Sequence, residues 1–287
     1  MLGDGYHRLV SGRRSHASND REDLCRMLDA VAGRLLSGFP LDSRRTDNQG
    51  GVITKEHVER YLRRHRALHA DAVQAVRTWA PGRRVGEIGP AYGAQLLCLR
   101  TVYDYQVHAF ELPENIPIYC GGLQTAGIRV DGWDLYESAP QHARRDFDLL
   151  ICSEVVEHLY VALPVLVENM RPALRVGGRL LLSTPNLYRL SNISRIFSGN
   201  NICEPHPSIG HKRAGLVTDA REHPREYTCK EIENAFARSH WRLLRLWTAG
   251  EETLTGRWRS RIRARLLRWT LPYPVGKTIF VVAERTR

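Results

Sequence analysis

The sequence predicts an α/β protein with a doubly wound, seven-stranded and mostly parallel sheet. Short apolar runs recur along the chain from residue 84 onward, and stretches long enough for helices separate most of them. Alternation of this kind is typical of parallel strands covered by helices on both faces. The 287 residues, 43% of them hydrophobic, suffice for one sizeable core with extensions.

Residues 1–80 are predicted to form an N-terminal tail and helical extension. Residues 1–22 are polar and unpatterned, which favours a tail, whereas apolar side chains at helical spacing predict a helix over 23–36. A linker rich in turn-forming residues follows over 38–51. Thr54 can cap a second helix, and Pro81-Gly82 ends it near Trp79.

Residues 81–248 are predicted to form the core, and residues 249–287 to form a basic insertion followed by the last strand. The seven predicted strands are Arg84–Ile88, Gln106–Glu111, Ile128–Asp131, Phe147–Cys152, Arg179–Ser183, Arg242–Trp247 and Lys277–Glu284. Predicted helices between them include Gln95–Tyr103, Leu163–Leu174 and Thr228–Arg238. Residues 187–222, after the fifth strand, are predicted to form a lid over the substrate.

Charge and composition restrict the class of partner. The formal charge of +11 divides into +6 for residues 1–84, −1 for residues 85–248 and +6 for the remainder. A nucleic-acid partner is therefore disfavoured, since the predicted core is not basic. The sequence shows neither an apolar run of 18 residues nor a secretory signal, and its six cysteines include no Cys-x-x-Cys pair. These features predict a cytoplasmic protein with free thiols.

The segment Glu87-Ile-Gly-Pro-Ala-Tyr-Gly93 is the sharpest local motif. It joins the first predicted strand to a helix, where glycines let the backbone approach a ligand closely and the helix N-terminus favours electron-rich groups. A dinucleotide fingerprint would require glycine at positions 91 and 94, and both are alanine. A nicotinamide cofactor is therefore disfavoured.

This segment resembles the acid-x-Gly-x-Gly-x-Gly loop of the class I S-adenosylmethionine-dependent methyltransferases. The resemblance covers roughly residues 83–248 and the last strand, and it implies a Rossmann-like methyltransferase fold. It also implies that Glu87 lies near the ammonium group of S-adenosylmethionine. The loop would run alongside the methionine part of the cofactor. The implied loop contacts are Gly89, Ala91, Tyr92 and Gly93, with Ala91 in place of the family's middle glycine.

Acidic residues at the ends of the next two predicted strands extend this cofactor site. A carboxylate at Glu111 can accept hydrogen bonds from both ribose hydroxyls. The resemblance further implies that Asp134 and Leu135 contact the adenine, and Ser153 at the end of the fourth strand is assigned to the same site. Ligands bind at the carboxyl ends of such strands, so these residues are expected to share one edge.

Residues 146–159 and 174–186 resemble the fourth and fifth strands of the small-molecule branch of this family. The Asn/Asp-Pro-Pro-Tyr loop of enzymes that methylate base or amide nitrogens is missing after the fourth strand. Transfer to a base nitrogen is therefore disfavoured, and an O-methyltransferase is the expected activity.

Glu154, Glu157 and His158 are the candidates for the chemical step, because an i, i+3, i+4 spacing can place them on one face of a helical turn. The run resembles the Glu-x-x-Glu-His segment of small-RNA 3′-terminal 2′-O-methyltransferases and of ubiquinone-pathway O-methyltransferases. The RNA enzymes hold a divalent metal with these residues and a later histidine, for which His223 is the counterpart. We therefore predict His158 and His223 as catalytic residues, with Mg²⁺, Mn²⁺ or Zn²⁺ as the ion.

The alternative needs no metal. In that case Glu157 and His158 cap a helix and support the cofactor loop, while His223 and Arg225 anchor the helix that follows them.

An Arg-rich segment over 256–270 interrupts the predicted hairpin of the last two strands. Trp258, Ile262, Leu266 and Trp269 recur at helical spacing between arginines. Such a helix suits an anionic membrane surface, which would make the protein peripheral at the membrane, or it packs on the sheet or on a second subunit.

The predicted function is methylation of a hydroxyl on a sugar, glycolipid or secondary metabolite, so that the partner is a small-molecule or lipid-linked acceptor. RNA 3′-end 2′-O-methylation and a catalytically silent cofactor-binding scaffold subunit are the alternatives. The sequence leaves the oligomeric state open.

Overall fold

The computed structural model describes residues 17–38, 53–202, 211–213, 216–218, 223–237, 240–250 and 275–287. Residues 1–16 of the predicted tail, most of the predicted linker and the Arg-rich segment over 256–270 lie outside these residues. The predictions made for Trp258, Ile262, Leu266 and Trp269 therefore stay predictions. The rest of the predicted tail, residues 17–22, is helical instead.

Two long helices precede the sheet. Helix α1 is Ala17–Gly38, beginning before the predicted position, and α2 is Lys55–Trp79. The Thr54 hydroxyl accepts a hydrogen bond from the His57 backbone amide (3.2 Å), which satisfies one of the free donors at the start of α2. Six shorter helices follow, listed in chain order: α3 is Ala94–Tyr103, α4 is Ile116–Tyr119, α5 is Gly121–Thr125, α6 is Leu163–Met170, α7 is Leu190–Phe197 and α8 is Cys229–Ala237.

The main sheet has seven strands in the order β3-β2-β1-β4-β5-β9-β8. Their bounds are β1 Arg84–Ile88, β2 Gln106–Glu111, β3 Arg129–Gly132, β4 Phe147–Ser153, β5 Leu174–Pro185, β8 Trp241–Ala249 and β9 Thr278–Arg285. Strands β1 to β5 are parallel where they pair, and β9 is antiparallel to both of its neighbours. The predicted doubly wound, mostly parallel seven-stranded fold is confirmed.

Both faces of the sheet are covered. Helices α1, α2 and α3 pack on one face, where Leu181, Phe280 and Val282 point into the same core. Helices α6 and α8 pack on the other, against Leu182 and Val281. This alternation along β9 follows from the two-residue period of a strand.

The segment predicted as a lid contains regular structure. Helix α7 begins four residues after β5, and β6 (His211–Arg213) pairs antiparallel with β7 (Leu216–Thr218). The rest of the predicted lid, including His206, lies outside the described residues. Of the helices that the structure describes, none combines the length and the apolar character needed to span a membrane.

Candidate active site

The loop that follows β1 lies at the carboxyl edge of the sheet. Gly89, Ala91 and Gly93 all have positive φ angles, of 64°, 48° and 78°. A Cβ on Gly93 would lie 2.2 Å from Leu123, and one on Gly89 would lie 2.6 Å from Val155. Only glycine fits these two positions, whereas Ala91 adopts the left-handed conformation that glycine prefers. The loop thus keeps the left-handed backbone of a glycine-rich loop despite the missing middle glycine.

Glu87 is buried beneath this loop, with 1% of its surface exposed. Its Oε1 accepts a hydrogen bond from Gln95 Nε2, and its Oε2 has no hydrogen-bond partner among the described residues. Burial, reinforced by the Glu111 carboxylate, raises the pKa of Glu87 well above its usual value. A carboxyl group with an unsatisfied oxygen in this position is suited to an ammonium group.

Gln95 was not among the predicted site residues. A buried polar side chain in the first turn of the otherwise apolar α3 is the signal that could have indicated it.

Glu111 lies at the end of β2, next to Gly132 of β3. Its Oε1 accepts hydrogen bonds from the Leu112 amide (2.9 Å) and from Asn115 Nδ2 (3.2 Å). Burial raises the pKa of this carboxyl group. Two local donors hold one oxygen in place, so the carboxylate is oriented before any ligand arrives.

The other predicted cofactor residues lie along the same edge. Asp134 follows β3, and its Oδ1 accepts a hydrogen bond from the Tyr136 amide (3.1 Å) beside the buried Leu135. Ser153 ends β4, and its Oγ is buried without a hydrogen-bond partner in the described part of the chain. The predicted acids thus follow three neighbouring strands of one sheet.

Glu154 and Glu157 lie immediately after β4. Glu154 has a φ of 54°, and its amide donates to the Ser183 carbonyl (2.9 Å), which turns the chain away from the sheet. A single 3-10 turn over Val156–His158 follows. Glu157 is fully buried: Thr184 Oγ1 donates to its Oε2 (3.0 Å), and its Oε1 has no hydrogen-bond partner among the residues described. Burial and the neighbouring Glu154 carboxylate raise the pKa of Glu157 well above its usual value.

His223 packs on this turn although it lies 65 residues further along the chain. Its ring meets that of His158 edge-on, with centroids 4.8 Å apart. Ligand atoms of Glu157, His158 and His223 all lie within 4.8 Å of one another. Burial raises the pKa of Glu154 to about 7, and His223 partly opposes that rise. Three of the four predicted residues thus converge closely enough to hold one ion, and Glu154 is not in that group.

Glu226 supports this cluster and was not predicted. Its carboxylate accepts hydrogen bonds from Arg189 (2.7 Å) and from the buried Asn192 (2.6 Å), and it lies 3.6 Å from His223 Nδ1. Arg225, in contrast, pairs with Glu231 of α8 (2.6 Å). The anchoring role considered for both residues thus fits Arg225, while His223 faces the cluster.

No family model and no curated protein matches this sequence. Solved structures do match. An S-adenosylmethionine-dependent methyltransferase from Archaeoglobus fulgidus gives a TM-score of 0.50 at 14% identity, covering 76% of this chain and 93% of that one. One from Thermotoga maritima gives 0.51 at 12% identity, with coverages of 80% and 94%.

A third similar chain comes from the complex between a Haloferax volcanii methyltransferase activator and a methyltransferase. Its TM-score is 0.51 at 13% identity, covering 91% of this chain and 98% of that one. At these identities the likeness concerns the fold. The protein therefore has the fold of the class I S-adenosylmethionine-dependent methyltransferases.

Proposed function

We propose that this protein is an S-adenosylmethionine-dependent methyltransferase that modifies a hydroxyl group. The observation that carries the proposal is the edge formed by the Gly89–Gly93 loop, Glu87 and Glu111. The buried Glu87 carboxyl group has an oxygen without a hydrogen-bond partner among the described residues, at the place where α/β sheets bind cofactors. Calorimetric titration with S-adenosylmethionine and S-adenosylhomocysteine tests it, and failure to bind either ligand contradicts it.

Each part of the edge suits one part of the cofactor. Glu87 would hold the ammonium group, the backbone of the loop would run alongside the methionine chain, and Glu111 would accept hydrogen bonds from the ribose. Asp134, Leu135 and Ser153 would complete the adenine side. When bound, S-adenosylmethionine supplies an electrophilic methyl group, which leaves the protein to align the acceptor and to remove its proton.

His158 and His223 are the proposed catalytic residues. Both rings lie in the cluster after β4, and Glu226 faces Nδ1 of His223, which leaves Nε2 for the acceptor side. A neutral imidazole in this position can accept the proton of a hydroxyl group during transfer.

We extend the proposal to a divalent cation held by Glu154, Glu157, His158 and His223. Two carboxylates and two imidazoles suit Mn²⁺ or Zn²⁺, or Mg²⁺ with added water. Two ligands about 2.1 Å from one ion lie at most about 4.2 Å apart, so the 4.8 Å cluster would contract by a few tenths of an ångström on binding. Such an ion would satisfy the unpaired Glu157 oxygen, and when bound it favours loss of a nearby acceptor proton.

Metal analysis of the purified protein and calorimetry with Mn²⁺ and Zn²⁺ test the cation. We expect Glu157→Gln to weaken binding strongly and Glu233→Gln, at a half-buried position of α8 outside the cluster, to leave it unchanged. Equal binding by both variants contradicts the metal site. If chelation removes the ion and leaves methyl transfer intact, the histidines alone accept the proton.

The proposed acceptors are hydroxyl groups of a sugar, glycolipid or secondary metabolite. The cluster after β4 also favours a second candidate, the 2′-hydroxyl of an RNA 3′ end, because it matches the segment of that branch. Transfer of a labelled methyl group to a panel of polyols, phenols and RNA oligonucleotides with intact or blocked 3′ ends separates them. Cofactor binding without transfer to any acceptor would favour the scaffold alternative.

A further inference from the structure

A cavity of about 410 Å³ lies at the amino edge of the sheet, opposite the proposed cofactor site. The end of α2, the loop before β1, the end of α3 and the loop before β2 surround it. Strand β1 is five residues long, so roughly 15 Å of sheet separates the cavity from the loop after β1. The lining residues are Arg77, Arg83, Val102, Tyr103, Asp104 and Tyr105.

Each arginine of this cavity lies over a tyrosine ring. The guanidinium carbon of Arg77 is 4.5 Å from the centre of the Tyr103 ring, and that of Arg83 is 5.2 Å from the centre of the Tyr105 ring. Attraction to an aromatic face holds a guanidinium without the carboxylate partner that an ion pair would require. The two arginines are therefore positioned while their charges remain uncompensated by an acid.

Most N–H groups of the two guanidiniums are unused within the described part of the chain. Arg77 donates once, to Gln74 Oε1 (3.0 Å), and Arg83 donates once, to the Tyr103 carbonyl. A guanidinium carries five N–H donors, so both side chains keep donors for an acceptor in the cavity. Two cationic groups with spare donors indicate an anionic ligand.

Asp104 adds an acceptor to the same cavity. It has a φ of 57° and ends α3, between the two tyrosines in the sequence. Among the described residues it forms an ion pair with neither arginine, although it lines the cavity with them. A bare anion would be repelled by its carboxylate, whereas a ligand that also carries hydroxyl groups can donate hydrogen bonds to it.

We propose that this cavity is a second binding site, which takes a small phosphate ester with free hydroxyl groups, of the sugar phosphate class. The two guanidiniums bind the phosphate, and Asp104 binds the hydroxyl groups. A phosphate is favoured over a carboxylate because two arginines from different segments can use more than two acceptor oxygens. The volume of the cavity lies in the range of small-molecule sites. The site is independent of the proposed methyl transfer, since it lies at the other edge of the sheet.

Calorimetry with ribose 5-phosphate tests the site in the full chain, with ribose and inorganic phosphate as matched ligands. We expect ribose 5-phosphate to bind more tightly than either of them. Arg77→Gln and Arg83→Gln should each weaken it about tenfold or more, in the range for hydrogen bonds to charged groups. The control is Arg100→Gln on α3, because Arg100 donates to the Ala126 carbonyl (2.9 Å) outside the cavity and its loss should leave the affinity unchanged.

The Asp104→Asn variant tests the other half of the site. It should weaken binding of ribose 5-phosphate and leave binding of inorganic phosphate unchanged or tighter, because a repelling charge is removed. Absence of ribose 5-phosphate binding to the wild type overturns the proposal. Binding that both arginine variants leave unchanged also overturns it, and would place the ligand at the carboxyl edge instead.

A second measurement uses the unaltered protein. Phenylglyoxal modifies accessible arginines, and Arg77, Arg83 and Arg100 are all exposed. Ribose 5-phosphate should slow modification of Arg77 and Arg83, followed by mass spectrometry of their peptides, while Arg100 reacts at an unchanged rate. Equal rates with and without the ligand at Arg77 and Arg83 overturn the inference.

Discussion

The proposed cofactor half of the site, at the ends of β1 to β3, and the proposed chemical half, after β4 and β5, both place buried acids at the carboxyl edge of the sheet. They do so with different parts of the chain. Glu87, Glu111 and Asp134 each lie at the end of their own strand, and parallel pairing alone brings them together. Glu157 and His158 instead need His223, which reaches them only after α7 and the segment that follows it.

Glu226 shows how the chemical half is held. It links His223 to Arg189 and Asn192 at the start of α7, so the cluster depends on how the chain after β5 packs back. Substitutions in the two halves should therefore have separate effects. Those in the cofactor half should alter cofactor affinity, and those in the chemical half should alter the rate of methyl transfer.

The largest effect is expected from His223→Ala. Loss of a general base, or of a ligand that holds the cation, should lower the rate of transfer about 10²- to 10⁴-fold, while affinity for S-adenosylmethionine stays within about twofold. Single-turnover transfer and calorimetry measure the two quantities. His240→Ala, on an exposed histidine before β8, is the control. Parallel loss of affinity and rate would show that the halves are coupled.

Glu111→Ala should produce the opposite pattern. Removing a charged acceptor of ribose hydrogen bonds should weaken cofactor binding by about 1.5–3 kcal/mol. Glu114→Ala, three residues further on and exposed, should leave affinity unchanged. Unchanged affinity in the Glu111 variant would remove that residue from the site.

Acid should destabilise the packing of helix α2. Burial lowers the pKa of His69 to about 3 and, together with Arg64 and Lys277, lowers that of His65 to about 4. An unfolded histidine titrates near 6.5, so below that pH the unfolded chain binds more protons and stability falls. At pH 5 the loss from His69 is up to about 2 kcal/mol, and above pH 6.5 the contribution is constant.

Urea unfolding at pH 7 and at pH 5 measures this loss. His69→Phe should reduce the difference between the two pH values, whereas His57→Phe at the exposed start of α2 should not. If the free energy of unfolding of the His69 variant still falls between pH 7 and pH 5 as in the wild type, other groups cause the loss.

The smallest effect is expected at Ala91. Replacing an alanine that has a left-handed backbone conformation removes a strain of about 1–2 kcal/mol from the folded state. Glycine also gives the unfolded chain more conformational freedom, which offsets about 0.4–1 kcal/mol of that gain. Ala91→Gly should therefore raise the free energy of unfolding by about 0.5 kcal/mol without altering cofactor affinity. A lower free energy of unfolding in this variant would mean that the methyl group of Ala91 makes stabilising contacts in the loop.

The comparison also explains what the sequence could predict. The strands and the residues of the cofactor half follow from local patterns, since an acid at the end of an apolar run is visible in a short window. His223 was found only through resemblance to other enzymes. Glu226 gains its role from contacts with Arg189 and Asn192 in a distant segment, which no local pattern indicates. Gln95 lies only eight residues from Glu87 and reads locally as one more polar position of a helix.

Helix α7 illustrates the same limit. Its eight residues lie at the start of the segment predicted as a lid, and the buried Asn192 joins the helix to Glu226. The glycine, proline and polar residues that come after the helix led to a loop being predicted where a helix forms.

The inverted strand β9 has a consequence for how the protein is made. Ile279 to Ala283 are fully buried between β5 and β8, and β8 is joined to the sheet through β9 alone. During synthesis β8 leaves the ribosome before β9. Its backbone therefore stays unpaired until β9 has been synthesised and has inserted between β5 and β8. The last step of assembly is therefore long-range, and it leaves a window for aggregation or chaperone binding that a sheet assembled in chain order would not have.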